Sequence, residues 1–126
     1  FWVINGLSDE ADITLIYRAT RDGWEESDFN EYCLNKGKTL TFVKSSRGYL
    51  CAGYTSIAWM KYTDGFQNDI DARLFALTNI MAVYKPRDPK KAIYHGGGFS
   101  FGGALQQDLM YGPTCGSCWT GESGFG

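Results

Sequence analysis

Four cysteines, at positions 33, 51, 115 and 118, and a single histidine, His95, are the side chains best suited to nucleophilic or acid–base chemistry in this chain. Cys115 and Cys118 form a Cys-x-x-Cys pair inside Gly-Pro-Thr-Cys-Gly-Ser-Cys-Trp. Two thiols at that spacing have three chemical uses. One can serve as a thiolate nucleophile beside a base, the two can cycle between dithiol and disulfide, or they can supply half of a tetrahedral zinc site. Each use requires partners elsewhere in the chain.

The nucleophile use fails on its partners. Cys115-Gly116-Ser117-Cys118-Trp119 matches the short pattern around the nucleophile of papain-like proteases. That thiolate needs a histidine from far downstream, yet residues 119–126 hold none and His95 lies upstream. The oxyanion-hole glutamine belongs six residues before the nucleophile, where this chain has Gly112. A helix starting at Cys118 would have to run through three glycines, each costing about 1 kcal/mol relative to alanine. The match is fortuitous. A thioredoxin-like site needs the same helix and meets the same objection. Zinc would need Cys33 and Cys51 as further ligands, and neither has a ligand neighbour in sequence. Cys115 and Cys118 therefore read as loop cysteines, with a thiol–disulfide redox role as the alternative.

The other candidates are weaker. His95, in Ala-Ile-Tyr-His, reads as a strand-end histidine with a local hydrogen bond rather than a general base. Asp64, Asp69 and Asp71 cluster near Gly65 but lack the order and closing glutamate of a calcium loop, so they read as solvated turn carboxylates. The Gly96–Gly103 stretch is not placed as a phosphate cradle. No catalytic residue, cofactor or metal site is assigned.

The chain has 126 residues, enough for one domain with a modest core. Hydrophobic residues make up 44%, with 8 Tyr, 8 Phe and 4 Trp to fill that core. Sixteen glycines against 3 prolines suit the tight turns of a β-rich domain. A net charge of −2 without a basic block argues against a nucleic-acid partner. No apolar run approaches the roughly 18 residues of a membrane span. The chain opens at Phe1 without a leader and reads as a piece or processed product of a longer protein. Cys33 and Cys51 lie in aromatic stretches and are expected to be free, buried thiols.

The elements follow from pattern. Residues 13–19, rich in β-branched and aromatic types, predict a strand, and Thr-Arg-Asp-Gly-Trp a turn. A helix is predicted from an N-cap at Ser27, with Phe29, Tyr32 and Cys33 as its apolar stripe and Asn35 and Gly37 as its stop. Residues 39–44 and 49–56 predict a hairpin closed by Ser46-Arg47-Gly48. Residues 72–84 predict a strand broken near Asn79, although their apolar spacing would also suit a short helix; 85–91 predict a charged loop and 92–95 a short strand. The expected fold is α+β and mostly β: a two-sheet antiparallel sandwich with one or two short flanking helices, a single domain over 1–126.

These landmarks carry a resemblance. Leu15-Ile16-Tyr17, Arg21-Asp22-Gly23, Phe29 with Cys33, Gly37, Thr39-Leu40-Thr41, Gly53-Tyr54-Thr55-Ser56 and Trp59 occur in the order found in the first half of the TLDc domain. Asp71-Ala72-Arg73-Leu74-Phe75 and the Gly-rich run followed by Asp108-Leu109 are similar to its second half. The resemblance covers roughly residues 13–111. Cys51-Ala52 stands where the family commonly has Phe-Gly, and Gly98 replaces a proline; the family's closing strand is expected to be missing after Gly126.

The resemblance implies a non-enzymatic protein-interaction domain of the kind that protects against oxidative damage and binds peripheral subunits of the vacuolar-type proton ATPase. It implies a cytoplasmic site at the cytosolic face of organelle membranes, with an extracellular location left open. The loops carrying Arg21 and Asp22, Arg47, and Asp64 are the expected partner-binding positions. Two alternatives remain: a thiol-based antioxidant domain using Cys115 and Cys118, and a structural or assembly component.

Overall fold

The hairpin at the centre of the chain forms from two β-branched and aromatic runs joined by a glycine-bearing turn. The computed structural model describes residues 2–5, 13–45, 47–61, 65–79, 81–95, 100–103 and 106–110. In it β3 (Thr39–Lys44) and β4 (Leu50–Thr55) pair antiparallel from Thr39↔Thr55 to Lys44↔Leu50. Ser45 closes the turn: its carbonyl accepts from Gly48 N–H (3.0 Å) and its hydroxyl from Tyr49 N–H (3.1 Å). Gly48 takes φ +85°, a conformation that favours glycine.

Around this hairpin the first sheet grows to six strands in the order β2-β1-β3-β4-β6-β7. The strands are β1 (Trp2–Asn5), β2 (Thr14–Arg18), β6 (Arg73–Ala76) and β7 (Ala82–Tyr84) beside the hairpin. Strand β1, which the pattern reading leaves unassigned, inserts between β2 and β3. The predicted break near Asn79 is the β6–β7 turn, where Asn79 has φ +65°. A second sheet of four strands, order β10-β9-β8-β5, uses β5 (Gly65–Gln67), β8 (Ile93–His95), β9 (Ser100–Gly103) and β10 (Gln106–Met110). All strand pairings in both sheets are antiparallel. The sandwich expected from the pattern is present.

Three local expectations need correction. Thr-Arg-Asp is not an open turn but a single helical turn, α1 (Ala19–Asp22), ended by Gly23 at φ +116°. Helix α2 runs Glu26–Cys33 with Glu25 as its N-cap, so Ser27 lies inside the helix. The physical reason is Asp28, whose carboxylate accepts from Glu25 N–H at 3.0 Å and fixes the start before Ser27. The charged loop 85–91 contains a 3₁₀ turn, Pro89–Lys91, which Asp88 caps through Lys90 N–H at 3.1 Å.

Strand β2 also departs from simple alternation. Val3 pairs with Tyr17 and Ile4 with Leu15, which leaves Ile16 as an extra residue in a β-bulge. Ile16 and Tyr17 both reach the core, while Leu15 is left exposed.

The core lies between the sheets and under α2. Trp59 is its centre: its ring meets Phe101 edge-on at 5.4 Å and Phe29 at 6.2 Å, and its indole N–H donates to Thr39 Oγ1 at 3.1 Å. Gly53 lets the sheets approach, since a Cβ there would fall 2.4 Å from the Phe101 ring. The inner face of the hairpin is unusually polar. Thr39, Thr41 and Thr55 are fully buried, whereas Leu40 and Phe42 on the opposite face are only half-buried. Thr39 and Thr55 are inside because they bond the buried indole of Trp59 and the buried carboxylate of Asp69.

Candidate functional site

Arg21 and Asp22 form one compact unit on α1. The Arg21 guanidinium donates through Nε to Asp22 Oδ1 and through a terminal nitrogen to Asp22 Oδ2, both at 2.7 Å. Asp22 Oδ2 also accepts from Arg18 N–H at 2.9 Å, so the carboxylate clamps the start of α1. The hydrogen bond from Arg21 holds the Asp22 carboxyl below its ordinary range, and that same bond raises the Arg21 pKa. Arg21 remains exposed while paired. Behind it the Tyr17 hydroxyl donates to Gly23 O at 2.6 Å, and the Asp28 carboxylate occupies the space a Gly23 side chain would need.

Arg47 projects from the β3–β4 turn and is exposed. It stands on a different element from Arg21 and Asp22. Asp64, the last expected partner-binding residue, lies outside the described residues, as do Cys115 and Cys118.

Asp69 is the residue the pattern reading undervalued. It is 3% exposed, not a solvated turn carboxylate. Its oxygens accept from Thr55 Oγ1 (2.9 Å), Ser56 N–H (2.8 Å), Ser56 Oγ (2.5 Å) and Asp71 N–H (3.2 Å). Its own N–H donates to Pro89 O at 3.0 Å, tying the end of β4 to the 3₁₀ turn. The signal was the adjacent hydroxyls of Thr55-Ser56, a pair suited to a buried carboxylate. With its acceptor sites taken up by the fold, Asp69 acts as a structural clasp.

The described candidates for covalent or acid–base chemistry are passivated. Cys33, a free thiol, is buried against the core; burial, with Asp22 adding to it, pushes its pKa up to about 12. At neutral pH it stays protonated and is a poor nucleophile. His95 is 3% exposed, its ring 6.0 Å from that of Trp59, and desolvation lowers its pKa. Cys51 is not the free thiol expected: it is disulfide-bonded. Among the described residues no group of three or more His, Cys, Asp or Glu side chains could hold a metal ion. A shallow groove of about 600 Å³ beside α2 is lined by residues including Glu25, Glu26, Asn30, Glu31, Leu34 and Lys61, all exposed or half-buried. It presents no buried polar group to a ligand.

No helix among the described residues is long and apolar enough to cross a membrane. Among curated proteins none matches the sequence. The TLDc domain pattern matches residues 4–123, reaching beyond the 13–111 landmarks at both ends. That span takes in α1, α2, the Asp69 clasp and every strand but the first half of β1, and by it the chain belongs to the TLDc domain family.

Proposed function

We propose that the chain is a non-catalytic protein-interaction domain that docks on peripheral subunits of the vacuolar-type proton ATPase at the cytosolic face of an organelle membrane. The TLDc match over residues 4–123 carries this reading, since that family is associated with resistance to oxidative damage. The passivated Cys33 and the desolvated His95 support a role without chemistry. Arg21 with Asp22 on α1, Arg47 on the β3–β4 turn, and Asp64 are the proposed contact residues. Arg47 is the best probe because it is exposed at a hairpin tip. Purified peripheral-sector subunits should retain the domain at low salt and lose it progressively as ionic strength rises. Arg47→Glu should weaken capture about tenfold, the scale of one well-placed charge contact. Absence of capture at low salt would refute the ATPase reading.

A thiol-based antioxidant role is a second reading, resting on the Cys-x-x-Cys spacing of Cys115 and Cys118. In that cycle Cys115 and Cys118 give two electrons and two protons to hydrogen peroxide, forming a disulfide and two waters. Peroxide consumption that persists in a Cys115→Ser/Cys118→Ser variant excludes it.

A further inference from the structure

The outer face of the six-stranded sheet is apolar where a solvated face should be polar. Phe42, Ala52, Phe75 and Val83 are paired in turn across β3, β4, β6 and β7, forming one continuous row. Leu40 and Tyr54 continue the apolar surface in the next row, opposite Arg73. None of these side chains joins the core cluster. Ala52, the small residue between Phe42 and Phe75 in that row, is 2% exposed. Val83 is 61% exposed. The threonines of β3 point inward and its leucine and phenylalanine outward, the reverse of a sheet facing only water.

The charges around this face decide what it fits. Arg18 lies in the Phe42 row through Trp2, Lys44 is two residues beyond Phe42, and Arg73 is paired with Tyr54. Arg73 spends one guanidinium nitrogen on Ile70 O (2.8 Å) and Ala72 O (2.7 Å) but keeps its charge on the rim. The acidic neighbours are Asp69, held in its own hydrogen bonds, and Asp71; burial first, then both carboxylates, raise the pKa of the Tyr54 phenol. A second copy pairing through the same face would bring cation rows together around a two-fold axis, which disfavours self-association. A partner with carboxylates flanking an apolar stripe fits instead.

We propose that this face seats an amphipathic helix of a partner protein, its apolar stripe on Phe42, Phe75 and Val83 and its acidic flanks against Arg18, Lys44 and Arg73. The dimensions agree. The six-residue strands β3 and β4 run about 20 Å, the shorter β6 and β7 about 10–13 Å, and the four together span about 14 Å. A helix of about three turns is roughly 16 Å long and 10 Å wide. The inference rests on the reading of the chain as an interaction module but uses the outer sheet face rather than the side chains of Arg21 and Arg47.

The test uses the full chain and two designed 14-residue helical peptides, alike in their leucine stripe but flanked by glutamate in one and lysine in the other. Fluorescence anisotropy should show the glutamate peptide binding at least about tenfold tighter. Val83→Glu, at an exposed position, should weaken it about fivefold or more, with a thermal melt confirming that the variant folds. An Arg18→Glu/Lys44→Glu variant should reverse the preference. Equal binding of the two peptides, no effect of Val83→Glu, or preferential binding to phosphatidylserine vesicles with the same mutational sensitivity would overturn the proposal. ATPase-subunit capture run in parallel separates the two readings. Capture lost with peptide binding kept refutes only the ATPase docking, and the converse refutes only this helix seat.

Discussion

His95 ends β8 with its ring tilted over Trp59, and desolvation there lowers its pKa from the ordinary 6.5. The unfolded chain therefore takes up a proton at a higher pH than the folded one. Stability from this site is present above about pH 6.5 and is lost as pH falls through the depressed folded value. Thermal melts between pH 7.5 and 5 should show the midpoint dropping on acidification, with a slope of at most about 1.4 kcal/mol per pH unit from one group. His95→Gln should flatten that profile; an unchanged profile would remove His95 as its source. The sequence showed that His95 lacks a nucleophile partner, but it could not show burial, because a strand-end position is equally compatible with solvent. Asp69 was hidden for a similar reason. Its partners Thr55 and Ser56 sit across a loop, and only the fold closes the gap.

At the scale of elements, the apolar stripe of α2 was legible and its start was not. Phe29 and Cys33 are buried as the spacing requires, while Tyr32 stays at the margin, 6.3 Å from the Tyr17 ring. Ser27 is a common N-cap type, yet the cap depends on where Gly23 turns the chain and on the reach of Asp28 back to Glu25. Ser27→Ala should consequently change stability by less than about 0.5 kcal/mol, as exposed helix positions do. Asp28→Ala should cost about 1 kcal/mol by loss of the reciprocal cap. Phe29→Ala should cost about 3–5 kcal/mol. Urea melts of the three variants order these effects, and a costly Ser27→Ala would mean the helix starts later than described. Strand β1 was not legible because its four residues gain their identity from two non-local partners, β2 and β3.

Across the whole molecule, Trp59 joins elements that lie far apart in the chain. Its backbone bridges Leu34, its carbonyl accepts from Asn35 N–H at 2.9 Å, and its ring contacts Phe29 under α2 and Phe101 of the second sheet. Trp59→Ala should cost about 3–5 kcal/mol and shift loss of both sheets together. Far-UV and near-UV circular dichroism should give one coincident transition; two separated transitions would show that the sheets are independent. The two-sheet plan was readable because strand signals recur at short intervals along the chain. The oxidised state of Cys51 was not, since its burial predicted a free thiol equally well.

The bulge in β2 has a consequence for the lengths this strand can tolerate. Removing one residue from a strand ordinarily swaps the faces of everything beyond it. Here Ile16 is the supernumerary residue, and Val3↔Tyr17 and Ile4↔Leu15 are already the pairs of a regular ladder once it is absent. A chain lacking Ile16 should keep Tyr17 inward and Leu15 outward, losing only the aliphatic contact Ile16 makes with the core. Loss of Leu15 or Tyr17 would let Ile16 move into the vacated pair, keeping the ladder but replacing the side chain that faced outward at Leu15 or inward at Tyr17. In β2, insertion and deletion are thus not equivalent accidents: the fold has one spare position, and it is Ile16.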